Sequence, residues 1–387
     1  MAALVHARSG AHWRLLLVAV LVGANIGAMV TNLPLYVSMR FGSPLWVGIV
    51  AALPFVAEVG TSLLWGSLSD RLHDRTRLLA LGLLGGGALY PLLPLIDDVS
   101  TLVLVRLGQL VLLSAQVLGL ALVTELDPHR TGGAATELLG VGALGAVVGA
   151  ILGGVLHEQV GPSAPFWVGA VACLGAGLLV LSVREPARHQ QMAKAADLAQ
   201  VLRQPGMGVV AGVLLVLFVA NSLAFNNALL YFRHVGLSQV VIGLAYAGVI
   251  LLGIPLMVLL GRLADQAGRR TLFRLAPVAY LLLWGTSALW LQPQVVLLMV
   301  MLPAYPFLLA PAIAMVSDLT PAHQRGRGTA LYVTFTALGS LLGALAIGGL
   351  LERTGDYRLG FALAAALIVG GLVLAQWAPE TLPTPPR

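Results

Sequence analysis

Charge is scarce in this sequence. Asp, Glu, Lys and Arg together make up 10% of 387 residues, against 58% hydrophobic. A soluble domain of this length carries roughly a quarter charged residues, so lipid rather than water must solvate most of this surface. Cysteine is nearly absent: Cys173 stands alone in an apolar run, which excludes a disulfide within the chain. The signatures of hydrolytic, metal and nucleotide chemistry are also missing. There is no Gly-x-Ser-x-Gly, no His-Glu-x-x-His and no Walker loop. All eight histidines fall in loops or at the ends of apolar runs, so neither an enzyme nor a metal or other cofactor is expected. The ten-residue alternation of an outer-membrane barrel is lacking too.

What is present is a series of apolar runs, each about 20 residues long, the length a helix needs to cross a bilayer. Twelve spans are expected, at 14–38, 45–66, 77–96, 100–123, 134–157, 164–183, 207–232, 238–261, 272–291, 294–317, 328–351 and 358–377. The first run is too long for a signal peptide and reads as a spanning helix. A fold of twelve helices, all-α, follows. Placing the N-terminus inside puts 17 of the 22 Lys and Arg residues on the cytoplasmic side, so both termini are expected there, in a multi-pass inner-membrane protein. The positive charge then faces anionic lipid, and nucleic acid is excluded as a partner.

The chain also matches itself at an offset of 193 to 196 residues. Ala24-Asn25 meets Ala220-Asn221, Asn32 meets Asn227, and Leu35-Tyr36 meets Leu230-Tyr231. Gly66 and Asp70 meet Gly261 and Asp265, Glu125 meets Asp318, and Gly145 and Gly149 meet Gly339 and Gly343. Ordered Asn, Tyr and Asp matches do not arise by chance among apolar helices. Two pseudo-symmetric six-helix halves are expected, 1–183 and 207–387, joined by a polar cytoplasmic linker over 184–206.

Between spans 2 and 3 stands Gly66-Ser67-Leu68-Ser69-Asp70-Arg71-Leu72-His73-Asp74-Arg75. Between spans 8 and 9 stands Gly261-Arg262-Leu263-Ala264-Asp265-Gln266-Ala267-Gly268-Arg269-Arg270. This glycine, acid and basic cluster resembles the signature loop of the major facilitator superfamily, and the resemblance covers nearly the whole chain. It implies two six-helix bundles, alternating access and a cytoplasmic gate. The gate would comprise Gly66, Asp70, Arg71, Arg75, Glu125, Gly261, Asp265, Arg269, Arg270 and Asp318. Gly66 and Gly261 would let helices approach closely. Asp70 would lie near the start of span 11, and Asp265 would face the start of span 5. Glu125 and Asp318 would pair with Arg75 and Arg270, and Glu137 would join the gate. In the first loop His73 and Asp74 replace the usual glycine and basic residue. The Gly-rich run from Gly145 to Gly154 resembles the motif of drug/proton antiporters, with Ala150 in place of proline; packing between halves is the alternative. Pro44-Leu45-Trp46-Val47-Gly48 is similar to the entry to span 2 in sugar efflux transporters.

Ionisable groups inside lipid are costly and therefore candidates for function. Glu58 lies in mid-span 2, where its repeat partner Gly253 has no side chain. It reads either as a proton-coupling carboxyl or as a neutral hydrogen-bonded one. Arg106-Leu107-Gly108-Gln109 resembles the arginine motif of proton-coupled exporters; Arg106 snorkelling toward the outer headgroups is the alternative. Substrate-cavity candidates are Asn25, Asn32, Tyr36, Gln109, Gln116, Asn221, Asn226, Asn227, Tyr231, Tyr305 and Tyr332, whose donors and acceptors suit a hydroxyl-rich or amphipathic solute. Hydrogen bonding between helices is the competing role. The expected protein is a monomeric secondary transporter that exports a drug-like or sugar-like small molecule against protons. Uptake or facilitated diffusion on the same fold, and a non-transporting receptor or scaffold, are the alternatives.

Overall fold

The structure is a computed structural model that describes residues 2–126, 131–183, 198–321 and 325–381. Twelve helical stretches among the described residues are long and apolar enough to cross a bilayer, from Gly10–Phe41 to Tyr357–Ala375, and each overlaps an expected span. Helices satisfy every backbone group internally, as lipid demands. In the first part of the chain they are α1 (Ala2–Phe41), α2 (Pro44–Leu72), α3 (Arg75–Leu89), α4 (Val99–Leu113), α5 (Val117–Leu126), α6 (Thr131–Gln159) and α7 (Ala164–Leu181). A short α8 (Leu198–Leu202) precedes α9 (Met207–His234), α10 (Gln239–Ala267), α11 (Arg269–Leu289), α12 (Pro293–Met301), α13 (Tyr305–Leu319), α14 (Arg325–Thr354) and α15 (Tyr357–Ala375).

Hydropathy finds only the lipid-facing part of a helix, so several helices outrun their expected spans. Both α2 and α10 continue past Gly66 and Gly261. The glycine and aspartate of each signature motif therefore stand on the last helical turns instead of in a loop. Helices stop where caps stop them. Asp74 accepts from the amide of Arg77 at 2.9 Å, Asp98 from that of Thr101 at 2.7 Å, and Asp356 from that of Arg358 at 2.8 Å, starting α3, α4 and α15. The Thr101 amide and hydroxyl hold the Asp98 carboxyl below the usual carboxylate range.

The fourth and tenth spans are broken. A 3₁₀ turn at Ser114–Gln116 separates α4 from α5, and the chain leaves helical geometry between α12 and α13 around Pro303. At the first break, the carbonyl of Val111 accepts from the Trp65 indole at 2.8 Å and the Ser114 hydroxyl at 2.7 Å. Such partners let a broken helix persist in lipid.

The chain forms two compact units. One comprises Met1–Phe41, Ala57–Lys194 and Ser238–Ala247; the other comprises Gly42–Val56, Ala195–Leu237 and Gly248–Arg387. In the first unit α1 packs on α6 and α7, and α3 on α7 and α4. In the second α9 packs on α14 and α15, and α11 on α15 and α13. The repeat seen in the sequence thus recurs as a repeat of packing partners.

Glycine sets the closest of these approaches. A Cβ at Gly145 or Gly149 on α6 would run into the carbonyls of Val20 or Ala24 on α1. One at Gly23 or Gly27 would strike those of Gly142 or Ala146. At the equivalent positions on α14, a Cβ at Gly339 would lie 2.7 Å from the carbonyl oxygen of Leu215, and one at Gly343 2.9 Å from the amide nitrogen of Leu223. Gly145, Gly149 and Gly153 of span 5 therefore pack α6 on α1, whereas Ala150 and Gly154 of the same run meet α10, from the second half of the chain.

Candidate functional site

The turn from α2 to α3 is tight, and His73 adopts a left-handed φ of 53° to make it. Its repeat partner Gly268 has a φ of 94°. The glycine absent from the first loop is thus replaced by a strained residue with the same backbone task. Immediately after each turn comes the arginine of an ion pair. Arg75 pairs with Glu125, both side chains almost fully buried. Arg269 pairs with Asp318 and lies 3.5 Å from Asp265, one turn earlier.

That geometry corrects one expected pair. Asp318 takes Arg269 and not Arg270. At this point the repeat offset is 194, so Arg269 is the true counterpart of Arg75. Arg270 instead reaches a carbonyl at the C-terminal end of α15, Gln376, at 3.4 Å, and Arg274 meets Ala375 there at 3.3 Å. Cations belong at that end of a helix dipole.

The other gate candidates divide. Arg71 is exposed and Gly66 buried, with the carbonyl of Gly66 accepting from Ser69 at 2.8 Å. Among the described residues a Cβ at Gly261 would meet nothing within 4 Å, so no close approach between described helices depends on that glycine. The side chain of Asp70 lies outside the described residues, as do those at the starts of α6 and α14 where the two aspartates were expected to point. Glu137 stands 3.1 Å from His12, linking α6 to α1.

Glu58 is exposed on α2 and, among the described residues, makes no hydrogen bond or ion pair. The asymmetry with Gly253 has a local cause. A Cβ at Gly253 would fall onto the Tyr305 hydroxyl, so the phenol occupies the space that a side chain would need.

Arg106 is buried, which removes the snorkelling alternative. Its guanidinium donates to the Gln109 side chain, lies 3.4 Å from the Tyr90 hydroxyl, and sits 5.6 Å from the centre of the Tyr90 ring. Gln109 in turn donates to the carbonyl of Gly86 at 2.8 Å. Tyr90 and Gly86 were not legible as partners, because nothing in the local sequence near Arg106 marks them.

Most of the polar cavity candidates are engaged within their own unit. Asn32 donates to the Ala28 carbonyl at 2.9 Å and packs against Gly153; Asn25 is buried beside Gly169. Tyr36 donates to the Pro94 carbonyl at 3.4 Å, and its counterpart Tyr231 to that of Leu291 at 3.1 Å. Asn227 donates to the Tyr357 carbonyl at 2.8 Å, Asn226 to that of Ser222 at 2.8 Å, and Asn221 accepts from the Trp284 indole at 3.3 Å. Gln116 is different. It is exposed at the break in the fourth span, and among the described residues it has no side-chain partner. Tyr305 and Tyr332 are half-buried, Tyr305 at the break in the tenth span. No group of three or more His, Cys, Asp or Glu able to hold a metal occurs among the described residues.

A family profile described as Major Facilitator Superfamily matches residues 15–304 and 209–387. "Multidrug resistance protein MdtG" of Serratia proteamaculans is 25% identical, over 94% of this chain and 92% of the relative. The protein of the same name from Enterobacter lignolyticus is 26% identical, over 90% of this chain and 87% of the relative. Among solved structures, a nucleoside transporter, NupG, superposes with a TM-score of 0.81 at 14% identity, covering 95% and 98% of the two chains. A D-xylose–proton symporter does so at 0.76 and 18%, covering 95% and 98%. These structural likenesses carry the fold alone.

Proposed function

We propose, from the premise that this chain belongs to the Major Facilitator Superfamily, that it exports a drug-like or sugar-like organic solute across the inner membrane in exchange for protons. Membership makes it a multi-pass membrane transporter and not an enzyme. The observation that carries the export reading is the likeness, over nine-tenths of both chains, to proteins named for multidrug resistance.

On this reading the halves 1–183 and 207–387 are joined by 184–206, both termini are cytoplasmic, and the solute is moved by alternating access. Arg75–Glu125 and Asp265–Arg269–Asp318, together with Asp70 and Arg71, form the cytoplasmic gate. Glu58 is the proton carrier: a mid-span carboxyl without a partner among the described residues can be protonated and released as access alternates, because each environment sets a different cost for its charge. Arg106 holds a positive field in the same unit. The paired breaks in spans 4 and 10 put Gln116 and Tyr305 forward as solute contacts. Interrupted helices in the corresponding spans of two repeats are the features that build transporter binding sites. Tyr36, Asn227 and Tyr231, bonded to carbonyls of other segments, serve mainly to hold the helices.

The test is a panel of solutes in proteoliposomes with an imposed pH gradient. Gradient-driven movement of at least one compound, dependent on Glu58, is expected. Flux of every transported compound that ignores the gradient would overturn proton coupling.

A further inference from the structure

Two carboxylates that no signature motif marks occupy equivalent places in the two units. Glu352, near the C-terminal end of α14, accepts from the Ser43 hydroxyl at 2.8 Å and from the amide of Leu45 at 3.2 Å. Glu158, near the C-terminal end of α6, accepts from the Ser238 hydroxyl and from the amide of Val240 at 3.1 Å. Ser43 immediately precedes α2, and Ser238 immediately precedes α10. Each glutamate is therefore an N-cap supplied by a different helix, set where the helix dipole favours an anion. The serines, which would ordinarily cap their own helices, donate to the carboxylate instead.

Glycine lets each seam close. A Cβ at Gly48 would lie 2.5 Å from the carbonyl oxygen of Ala344, and one at Gly348 2.9 Å from that of Pro44. In the other seam, a Cβ at Gly154 would lie 2.6 Å from the carbonyl oxygen of Gln239, and one at Gly243 would strike that of Ala150. The positions correspond throughout: 43 with 238, 45 with 240, 48 with 243, 158 with 352, and 154 with 348. The seams also explain a feature of the two units. The first turns of α2 group with the unit built mainly from the second half of the chain, and those of α10 with the unit built mainly from the first.

We infer that Glu158 and Glu352 are twin latches: positioning residues that hold α10 on α6 and α2 on α14 at the end of the bundle opposite the signature motifs, and that let go when that end opens during transport. The consequence for transport rests on the function proposed above, but the latch itself is measurable without any solute. In the full-length protein with Cys173→Ala, spin labels go on Leu45→Cys with Arg353→Cys for one seam, and on Gln159→Cys with Val240→Cys for the other. The parent should show one short distance in each pair. Glu158→Ala with Glu352→Ala should raise the longer-distance population about tenfold per seam, while the Glu→Gln pair, which keeps an acceptor oxygen, should restore most of the short distance. Ser43→Ala with Ser238→Ala removes one bond per seam and should shift the populations the same way. That variant decides the matter should the alanine pair fail to fold.

Unchanged distances in folded variants overturn the latch, even if transport survives. Lengthened distances with no transport of any tested solute uphold the latch and count against the function alone. If Ala and Gln variants shift alike, the carboxylates hold nothing specific, and the inference fails.

Discussion

Arg269 on α11 and Asp318 on α13 form an ion pair that repeats, in the second half of the chain, the pair between Arg75 and Glu125. The two pairs differ in setting. The first is sealed from solvent, whereas the Asp318 side chain keeps 30% of its exposure. Burial governs what a lost partner costs, because a stranded charge in a low-dielectric interior has nowhere to relax. Arg75→Ala should therefore destabilise by about 3–5 kcal/mol. Arg269→Ala should cost less, and Arg270→Ala, which loses only carbonyl contacts, least. Thermal unfolding in detergent ranks the three; an Arg270→Ala variant as damaged as Arg269→Ala would reject the assignment.

His73 bears a conformational cost that Gly268 avoids. His73→Gly should stabilise the protein by about 1 kcal/mol, since the left-handed backbone suits glycine. Gly268→Ala should destabilise by at least as much. Its Cβ would stand 2.8 Å from the Glu380 carboxylate, and that carboxylate also accepts from the amide of Arg269 at 3.2 Å. Melting temperatures that move in the same direction for both variants would contradict this reading.

The α1–α6 contact is made backbone to backbone, so its glycines are not interchangeable with others on the same helix. Gly149→Ala should cost about 1–3 kcal/mol through overpacking. Gly140→Ala, where a Cβ would meet nothing within 4 Å, should be neutral or stabilise by up to about 1 kcal/mol through helix propensity. Equal losses at both positions would show that helix packing does not distinguish them.

Gly253 and Tyr305 form a matched pair. Gly253→Ala should destabilise alone, and Tyr305→Phe, by removing the hydroxyl that fills the space, should recover part of the loss. A double-mutant cycle measures the coupling, expected at about 0.5–3 kcal/mol for residues in contact. Strict additivity would mean that the phenol lies elsewhere.

Glu58→Gln should leave the melting temperature nearly unchanged, because the exposed carboxyl has no partner to lose among the described residues. It should abolish solute movement driven by a pH gradient in proteoliposomes. Retained gradient-driven accumulation would make Glu58 dispensable for coupling.

Hydrophobicity, charge placement and self-similarity were enough to determine twelve spanning helices, a duplicated architecture and the superfamily, because lipid permits few structures and periodic apolar runs announce them. The signature loops were legible for the same reason: their residues are close in sequence. What only the tertiary structure decided were the partners. Arg269 rather than Arg270 meets Asp318, α1 receives Gly145, Gly149 and Gly153 of α6 while α10 receives Gly154, and Tyr305 fills the space beside Gly253, the equivalent of Glu58. Of the amides singled out as solute ligands, Gln109, Asn221 and Asn227 proved to be bonded to neighbouring helices, and Asn32 and Asn226 to carbonyls of their own helix. A polar residue in an apolar run announces that it needs a partner, but which backbone or side chain lies a few ångströms away depends on helix rotation and tilt. Those are set by contacts between segments far apart in the chain, and no local stretch of sequence encodes them.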